Sequence, residues 1–199
     1  MKNNIFLGTI LLEKNRWGSR IPSYKVSEWL ECFKKDGFDG IELWENHVMK
    51  ADITELNDLI EKASPVAVFN TYDEFTDETA EYRQKTAAVI NQLKANAVKF
   101  NFGNDASKLE EYIKNLIEWT QLLPKDCILL CECHPNTVME VPETAAKVFE
   151  QLKEERYQAI IHVFDKPDVI RPWFGNLGAR ITHAHVRVVD EDNNRVRLK

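Results

Sequence analysis

The chain has 199 residues, of which 44% are hydrophobic and 29% are charged, as in one globular domain with an apolar core. Its formal net charge of -6 provides no basic surface for a nucleic-acid backbone, and no apolar run reaches the roughly 20 residues that cross a bilayer. The N-terminal segment lacks the cleavage site of a signal peptide. We therefore expect one domain over residues 1–199, a cytoplasmic location, and no nucleic acid or membrane as partner.

Short apolar runs alternate with longer amphipathic segments along the whole chain. The last connection, from Pro167 to Gly178, contains proline and glycine, so we expect any helix there to be short. Seven strands are predicted, at Ile5–Leu11, Gly40–Trp44, Pro65–Thr71, Ala97–Gly103, Cys127–His134, Gln158–Asp165 and Arg180–Val189. Five helices are predicted between them, at Ser23–Lys35, Thr54–Ala63, Asp77–Ala95, Ser107–Leu123 and Val141–Lys153.

Regular alternation of strands and helices predicts an α/β fold with a parallel sheet. No Gly-x-Gly-x-x-Gly turn follows the first strand, which favours a TIM-type (β/α) barrel over an open, doubly wound sheet. In such a barrel the carboxyl ends of the strands meet at one mouth, where the chemistry takes place.

Two predicted strands carry clusters of polar residues at their carboxyl ends. The fifth strand ends in Cys131-Glu132-Cys133-His134, and the seventh contains His183-Ala184-His185-Val186-Arg187. Because successive side chains point to opposite faces, Glu132 shares a face with His134, and the two histidines of the seventh strand share one with Arg187. This concentration of polar groups predicts a metal-assisted reaction on a small polar substrate.

The same alternation bears on the cysteines. A zinc site built from Cys131, Cys133 and His134 is disfavoured because His134 points away from both sulfurs. We expect these cysteines, together with Cys32 and Cys127, to be buried free thiols.

Glu132 lies inside an apolar strand, where a carboxylate is costly unless it is paired or binds a metal. Metal ligation is the favoured interpretation, and a buried ion pair with Arg187 or Lys99 is the alternative. For His185 the alternative is a hydrogen-bonded core histidine. His134 could contact substrate or orient a ligand, or it could be exposed.

Glu42 and Trp44 share a face of the second strand, and His47 follows in the next loop. An aromatic and polar wall of this kind suits a sugar-sized pocket. Alternatively, Trp44 packs in the core and Glu42 neutralises Lys99 or Arg187 across the barrel.

Three motifs resemble the xylose-isomerase-like barrel family over nearly the whole chain. They are Gly37-Phe38-Asp39-Gly40-Ile41-Glu42-Leu43-Trp44, Glu132-Cys133-His134-Pro135 with Thr137 after it, and His183-Ala184-His185-Val186-Arg187. That family includes sugar and sugar-phosphate isomerases and epimerases, inosose dehydratases and metal-dependent apurinic endonucleases. The resemblance implies a divalent metal as cofactor and a small sugar or sugar phosphate as substrate.

In that family the metal is held by Glu, Asp, His and Glu on the fifth to eighth strands. The resemblance implies Glu132, Asp165 and His185 as the metal ligands, with Glu132 also the acid/base group. Asp165 could instead cap its own turn. Oxygen and imidazole ligands suit Mn, Mg, Co or Zn. The expected substrate contacts are His134, His183, Arg187, Glu42, Trp44 and His47.

The chain departs from the family pattern after the seventh strand, because it stops at Lys199. Either the chain is truncated, or it is a reduced member of the family whose barrel closes with seven strands or leaves a gap. We expect an incomplete barrel that lacks the eighth βα unit, with a homodimer as one way to cover the open edge. Glu42 is expected to lie too far around the barrel to act together with Glu132.

The leading hypothesis is a metal-dependent sugar or sugar-phosphate isomerase or epimerase that transfers a proton next to a carbonyl group. One alternative is a non-catalytic member of the family that binds a small ligand or a partner. An apurinic-site endonuclease is a more distant alternative, because the acidic charge disfavours DNA.

Overall fold

The computed structural model describes residues 3–14, 16–163 and 166–187. Its sheet contains seven parallel strands, each hydrogen-bonded to its neighbour in the chain. These are β1 (Phe6–Gly8), β2 (Gly40–Trp44), β3 (Val68–Asn70), β4 (Ala97–Phe100), β5 (Ile128–Glu132), β6 (Tyr157–His162) and β7 (Ile181–His185). The helices are α1 (Leu30–Lys35), α2 (Asn46–Met49), α3 (Ile53–Lys62), α4 (Ala80–Gln92), α5 (Leu109–Thr120), α6 (Pro142–Gln151) and α7 (Pro167–Leu177). The predicted α/β fold with a parallel sheet of about seven strands is confirmed.

The sheet curls so strongly that β7 approaches β2. Nε2 of His185 on β7 lies 3.1 Å from Oε2 of Glu42 on β2, although four strands lie between these two in the sheet. Within the described part of the chain, no hydrogen-bonded ladder joins β1 to β7. The described strands therefore form a curled half-barrel of the TIM type.

The inner face of the half-barrel carries an apolar layer at its base. Val68, Ala97, Leu130 and Ile160 form this layer, and each is almost completely buried. Because side chains two positions apart share a face, the next inward residues on the same four strands are Asn70, Lys99, Glu132 and His162. The strands thus place a polar layer directly above the apolar layer.

The outer face of the sheet packs against the helices through one large apolar core. Leu43, Val98 and Leu129 from alternate positions of the strands are fully buried there, against helical residues such as Ile90 and Leu116. Cys127, Cys131 and Cys133 are buried free thiols as expected, whereas Cys32 is exposed. The expectation for Cys32 was wrong because the buried side of α1 contains Phe33.

β1 is shorter than predicted. It ends at Gly8, and Thr9–Leu12 form a 3-10 turn. The cause lies in the side chain of Thr9, whose Oγ1 accepts a hydrogen bond from the backbone N–H of Trp44 at 3.0 Å and contacts Nδ1 of His47 at 2.9 Å. These contacts turn the chain away from the sheet.

The segment expected to contain at most a short helix instead forms the eleven-residue helix α7. Pro167 lies in its first turn, where a backbone N–H has no helical partner in any case. Pro172 is accommodated inside the helix, and Gly178 follows with a φ of 51° that favours glycine. Over the described ranges, none of the helices is long and apolar enough to span a membrane.

Candidate metal centre

Glu132, the last residue of β5, lies at the centre of the polar layer. Its Oε2 accepts hydrogen bonds from Nζ of Lys99 at 2.7 Å and from Nδ2 of Asn101 at 2.9 Å. Its Oε1 lies 3.0 Å from Nε2 of His162 and 2.7 Å from Nδ1 of His185. Four side chains, from β4 and the residue after it, from β6 and from β7, therefore converge on one buried carboxylate, and the ion pair with Lys99 that the sequence left open is present.

His185 lies between two carboxylates. Its Nδ1 faces Glu132, and its Nε2 lies 3.1 Å from Oε2 of Glu42. Burial by itself would lower the pKa of His185, but the hydrogen bonds and charges of Glu132 and Glu42 raise it to about 9. The expectation that Glu42 lies too far around the barrel to act with Glu132 was wrong, because the curl of the sheet brings both carboxylates to one imidazole ring.

The charges in the polar layer stabilise one another. Burial would raise the pKa of Glu132, but the Lys99 ammonium and the imidazoles of His162 and His185 outweigh it and hold that pKa well below its usual value. Burial would likewise lower the pKa of Lys99, yet the carboxylates of Glu132 and Glu42 raise it. The pKa of Glu42 is lowered against burial by His185 and Lys99. The layer thus holds two carboxylates, an ammonium and an imidazolium in one buried network.

The carboxylate of Glu132 and the imidazoles of His162 and His185 have the arrangement of metal ligands. Their ligand atoms all lie within 4.8 Å of one another. Oε1 of Glu132 is 3.0 Å and 2.7 Å from the two nitrogens, and those nitrogens are 3.3 Å apart. Atoms bound to one metal at about 2.1 Å are themselves separated by roughly 3 Å. The three residues therefore fit a divalent metal, provided that the imidazole protons facing Glu132 are released.

The register of β6 and β7 brings the two histidines together. His162 pairs with His185, and Ile160 pairs with His183, after an irregularity next to Ala159. The extra residue that this irregularity places on β7 is Thr182. His183 and His185 consequently share the inner face with His162.

His162 is a site residue that the sequence patterns did not identify. Its signal is a polar residue at the end of the apolar strand Ala159-Ile160-Ile161, the same pattern that identified Glu132. The family pattern directed attention to Asp165 instead. Asp165 lies outside the described residues, so its role as a ligand stays a prediction.

His134, His183 and Arg187 lie around the cluster and do not provide its ligand atoms. The ring of His134 stands edge-on to that of His162, with the ring centroids 5.2 Å apart. His183 is half-buried, and its Nδ1 contacts Oγ1 of Thr182 at 2.9 Å. Arg187 is exposed just beyond β7. His134 and Arg187 follow the carboxyl ends of β5 and β7, whereas His183 lies two residues before the end of β7, where it pairs with Ile160.

Trp44 and His47 belong to a separate buried network beneath the N-terminal segment. Nε2 of His47 lies 2.6 Å from Oε1 of Glu13, and the rings of Trp44 and Tyr24 stand edge-on to the imidazole. Trp44 is 1% exposed and His47 is 2% exposed. Of the three residues predicted to line a pocket from β2 and the loop after it, Glu42 contacts His185 and Asn70 of the polar layer, whereas Trp44 and His47 contact each other and the N-terminal segment.

No protein-family model matches the chain, and no curated protein matches it in sequence. Solved structures match its fold. A xylose isomerase-like TIM barrel protein from Mycobacterium smegmatis in complex with magnesium superimposes with a TM-score of 0.66 and 11% identity, over 95% of this chain and 77% of that one. The IolI protein with a bound zinc atom superimposes with a TM-score of 0.63 and 15% identity, over 95% of this chain and 74% of that one.

Endonuclease IV from Thermus thermophilus has the same architecture, with a TM-score of 0.63 and 11% identity over 93% of this chain and 76% of that one. The resemblance of the chain to the xylose-isomerase-like barrels is thus confirmed at the level of the fold. Identities of 11 to 15% carry no statement about activity.

Proposed function

We propose that the protein is a metal-dependent isomerase or epimerase that moves a proton at a carbon next to the carbonyl group of a small sugar or sugar phosphate. The observation that carries this proposal is the triangle of ligand atoms from Glu132, His162 and His185 at the mouth of the half-barrel. A divalent metal at these residues would polarise the substrate carbonyl and stabilise negative charge on its oxygen.

The residues around the proposed metal have distinct roles. Lys99 and Asn101 hold Oε2 of Glu132 in place, which keeps Oε1 facing His162 and His185. Glu132 serves as ligand and as acid/base group. Glu42 supplies a second carboxylate beyond the ring of His185. Epimerisation needs two acid/base groups on opposite sides of the substrate. Because the ring of His185 lies between Glu132 and Glu42, a one-base isomerisation fits this arrangement better.

The relatives in fold support the choice of metal. One neighbour is described in complex with magnesium and another with a bound zinc atom. The donor set in this chain combines one carboxylate with two imidazoles. Zn, Mn and Co bind to such a mixed set of oxygen and nitrogen ligands more readily than to oxygen ligands alone.

Proton transfer can be followed directly by NMR. The metal-loaded protein is incubated in deuterated water with D-fructose, D-xylulose and D-xylulose 5-phosphate, and deuterium incorporation next to the carbonyl is measured. We expect exchange with at least one ketose, reduced by roughly 10²–10⁴-fold in Glu132→Gln because the acid/base group is lost. Glu118→Gln, on the exposed face of α5, is the matched control. Exchange that persists unchanged in Glu132→Gln would refute the assigned role.

One observation favours a second candidate, a non-catalytic protein that binds a small ligand. Glu132 is already satisfied by Lys99, Asn101 and two histidines, as a structural carboxylate would be. Stoichiometric bound metal separates the two candidates.

An apurinic endonuclease shares the fold, but the net charge of -6 disfavours a DNA substrate, and cleavage of an abasic oligonucleotide tests this.

A further inference from the structure

Two buried amide oxygens in the polar layer have no hydrogen-bond partner within the described part of the chain. They are Oδ1 of Asn70, the last residue of β3, and Oδ1 of Asn101, immediately after β4. Asn70 is 1% exposed. Native proteins rarely leave such acceptors unsatisfied, because the loss of hydration is then uncompensated.

The orientation of both amides is determined by their neighbours. Nδ2 of Asn70 donates to Oε1 of Glu42 at 3.0 Å, and Nδ2 of Asn101 donates to Oε2 of Glu132 at 2.9 Å. An ionised carboxylate only accepts hydrogen bonds, so a flipped amide would place two acceptors against each other. The unpartnered atoms are therefore the oxygens.

The two amides flank Lys99, which pairs with Asn70 in the ladder of β3 and β4 and lies two residues before Asn101. All three side chains belong to the layer that contains the proposed metal ligands. Lys99 donates to Glu132 at 2.7 Å, and neither amide oxygen accepts a hydrogen bond from it or from another group in the described part of the chain, which leaves both oxygens open to donors from outside the protein.

We propose that Asn70 and Asn101 are specificity-determining residues that accept hydrogen bonds from two hydroxyl groups of the substrate. The inference that this substrate has a carbonyl group rests on the proposed function, whereas the recognition of its hydroxyls does not require the metal. A fully ionised phosphate has no proton to donate to an amide oxygen. The substrate class is therefore a polyhydroxy ketone whose free hydroxyls, and not a phosphate, lie against β3 and β4.

The test compares two ketones with the same four-carbon skeleton. L-Erythrulose carries hydroxyls on both carbons beyond the carbonyl, and 1-hydroxy-2-butanone carries none there. Ligand-observed NMR titrations in the presence of a chelator measure their binding to the metal-free protein. We expect L-erythrulose to bind roughly tenfold more tightly, as two added hydrogen bonds predict.

Asn70→Leu and Asn101→Leu should each weaken L-erythrulose binding by roughly 3- to 10-fold and leave 1-hydroxy-2-butanone unchanged. Asn70→Ser and Asn101→Ser replace them if circular dichroism shows that a leucine variant is unfolded. Asn91→Leu, on the exposed side of α4, is the matched control. Tyr72 also interacts with the side chain of Asn70, so Tyr72→Phe tests for an internal donor and should keep the discrimination.

Equal binding of the two ketones, binding of neither, or loss of discrimination in Tyr72→Phe would overturn the inference. Metal content is measured separately on the same preparations. If the protein binds L-erythrulose more tightly than 1-hydroxy-2-butanone but retains no metal, the proposed function is refuted and this inference stands. If it retains metal but binds the two ketones equally, this inference is refuted and the proposed function stands.

Discussion

Nδ1 of His185 lies 2.7 Å from Oε1 of Glu132, a contact that joins β7 to β5 across the end of β6. Two side chains from strands that are not neighbours can meet in this way because the sheet is curled and their positions face inward. The same contact places His162, from the strand between them, beside both groups. The curl of the sheet thus brings the residues of the candidate site together.

The buried ion pair of Lys99 and Glu132 is expected to be strongly coupled. Lys99→Met and Glu132→Gln should each lower the free energy of unfolding of the metal-free protein by about 3–5 kcal/mol, because each leaves a buried charge without its partner. The double variant should cost about 1–3 kcal/mol less than the sum of the two. Urea unfolding followed by circular dichroism measures all four proteins. Additive losses would show that the two charges do not depend on each other.

Stability should fall as the pH is lowered below about 6.5, in part because of His47. Burial lowers the pKa of His47, and the carboxylate of Glu13 only partly offsets this. The unfolded chain then binds a proton that the folded chain refuses, so the contribution is complete above the unfolded pKa of 6.5 and is lost as the pH falls towards the folded pKa.

The size of this effect is at most about 1.4 kcal/mol per pH unit for one proton. Urea unfolding of the metal-free protein at about pH 7.5 and about pH 5.5 should show a larger loss for the parent than for His47→Gln. An identical loss in both proteins would mean that His47 is not buried in its neutral form.

Gly103 has no room for a side chain. A Cβ atom there would lie 2.7 Å from Cζ of Tyr112 and still closer to its hydroxyl, and Tyr112 is buried. Gly103→Ala should therefore destabilise the protein by about 1–3 kcal/mol. Gly175→Ala in α7 is the matched control, because no atom of the described residues beyond the adjacent helix backbone lies within 4 Å of a Cβ there, and alanine should stabilise the helix by about 0.5–1 kcal/mol. Thermal melts that rank the two variants in the opposite order would contradict this packing.

Local periodicity accounts for what the sequence predicted correctly. Alternation along single strands identified Glu132 and His185, because an inward polar residue after an apolar one is visible within a few positions. It also placed all seven strands, with errors only at their ends, where tertiary contacts such as that of Thr9 with Trp44 decide where pairing stops.

Long-range geometry accounts for what was missed. The contact of Glu42 with His185 depends on the summed curvature of all the strand pairs from β2 to β7, which no local pattern records. The position of His162 beside His185 depends on the irregularity next to Ala159. Trp44 ends β2 and His47 lies beyond it, as the sequence predicted, but their contacts with Thr9 and Glu13 of the N-terminal segment are long-range and follow no local pattern.

The central claim is that Glu132, His162 and His185 hold one divalent metal. Elemental analysis of the protein after saturation with Mn, Co or Zn and removal of free metal tests it most directly. The parent and the neighbouring control His183→Ala should retain about one metal per chain, and Asp165→Asn tests the ligand that the family pattern adds. Glu132→Gln, His162→Ala and His185→Ala should each lose most of the metal. Parental metal content in Glu132→Gln and His185→Ala would contradict the account.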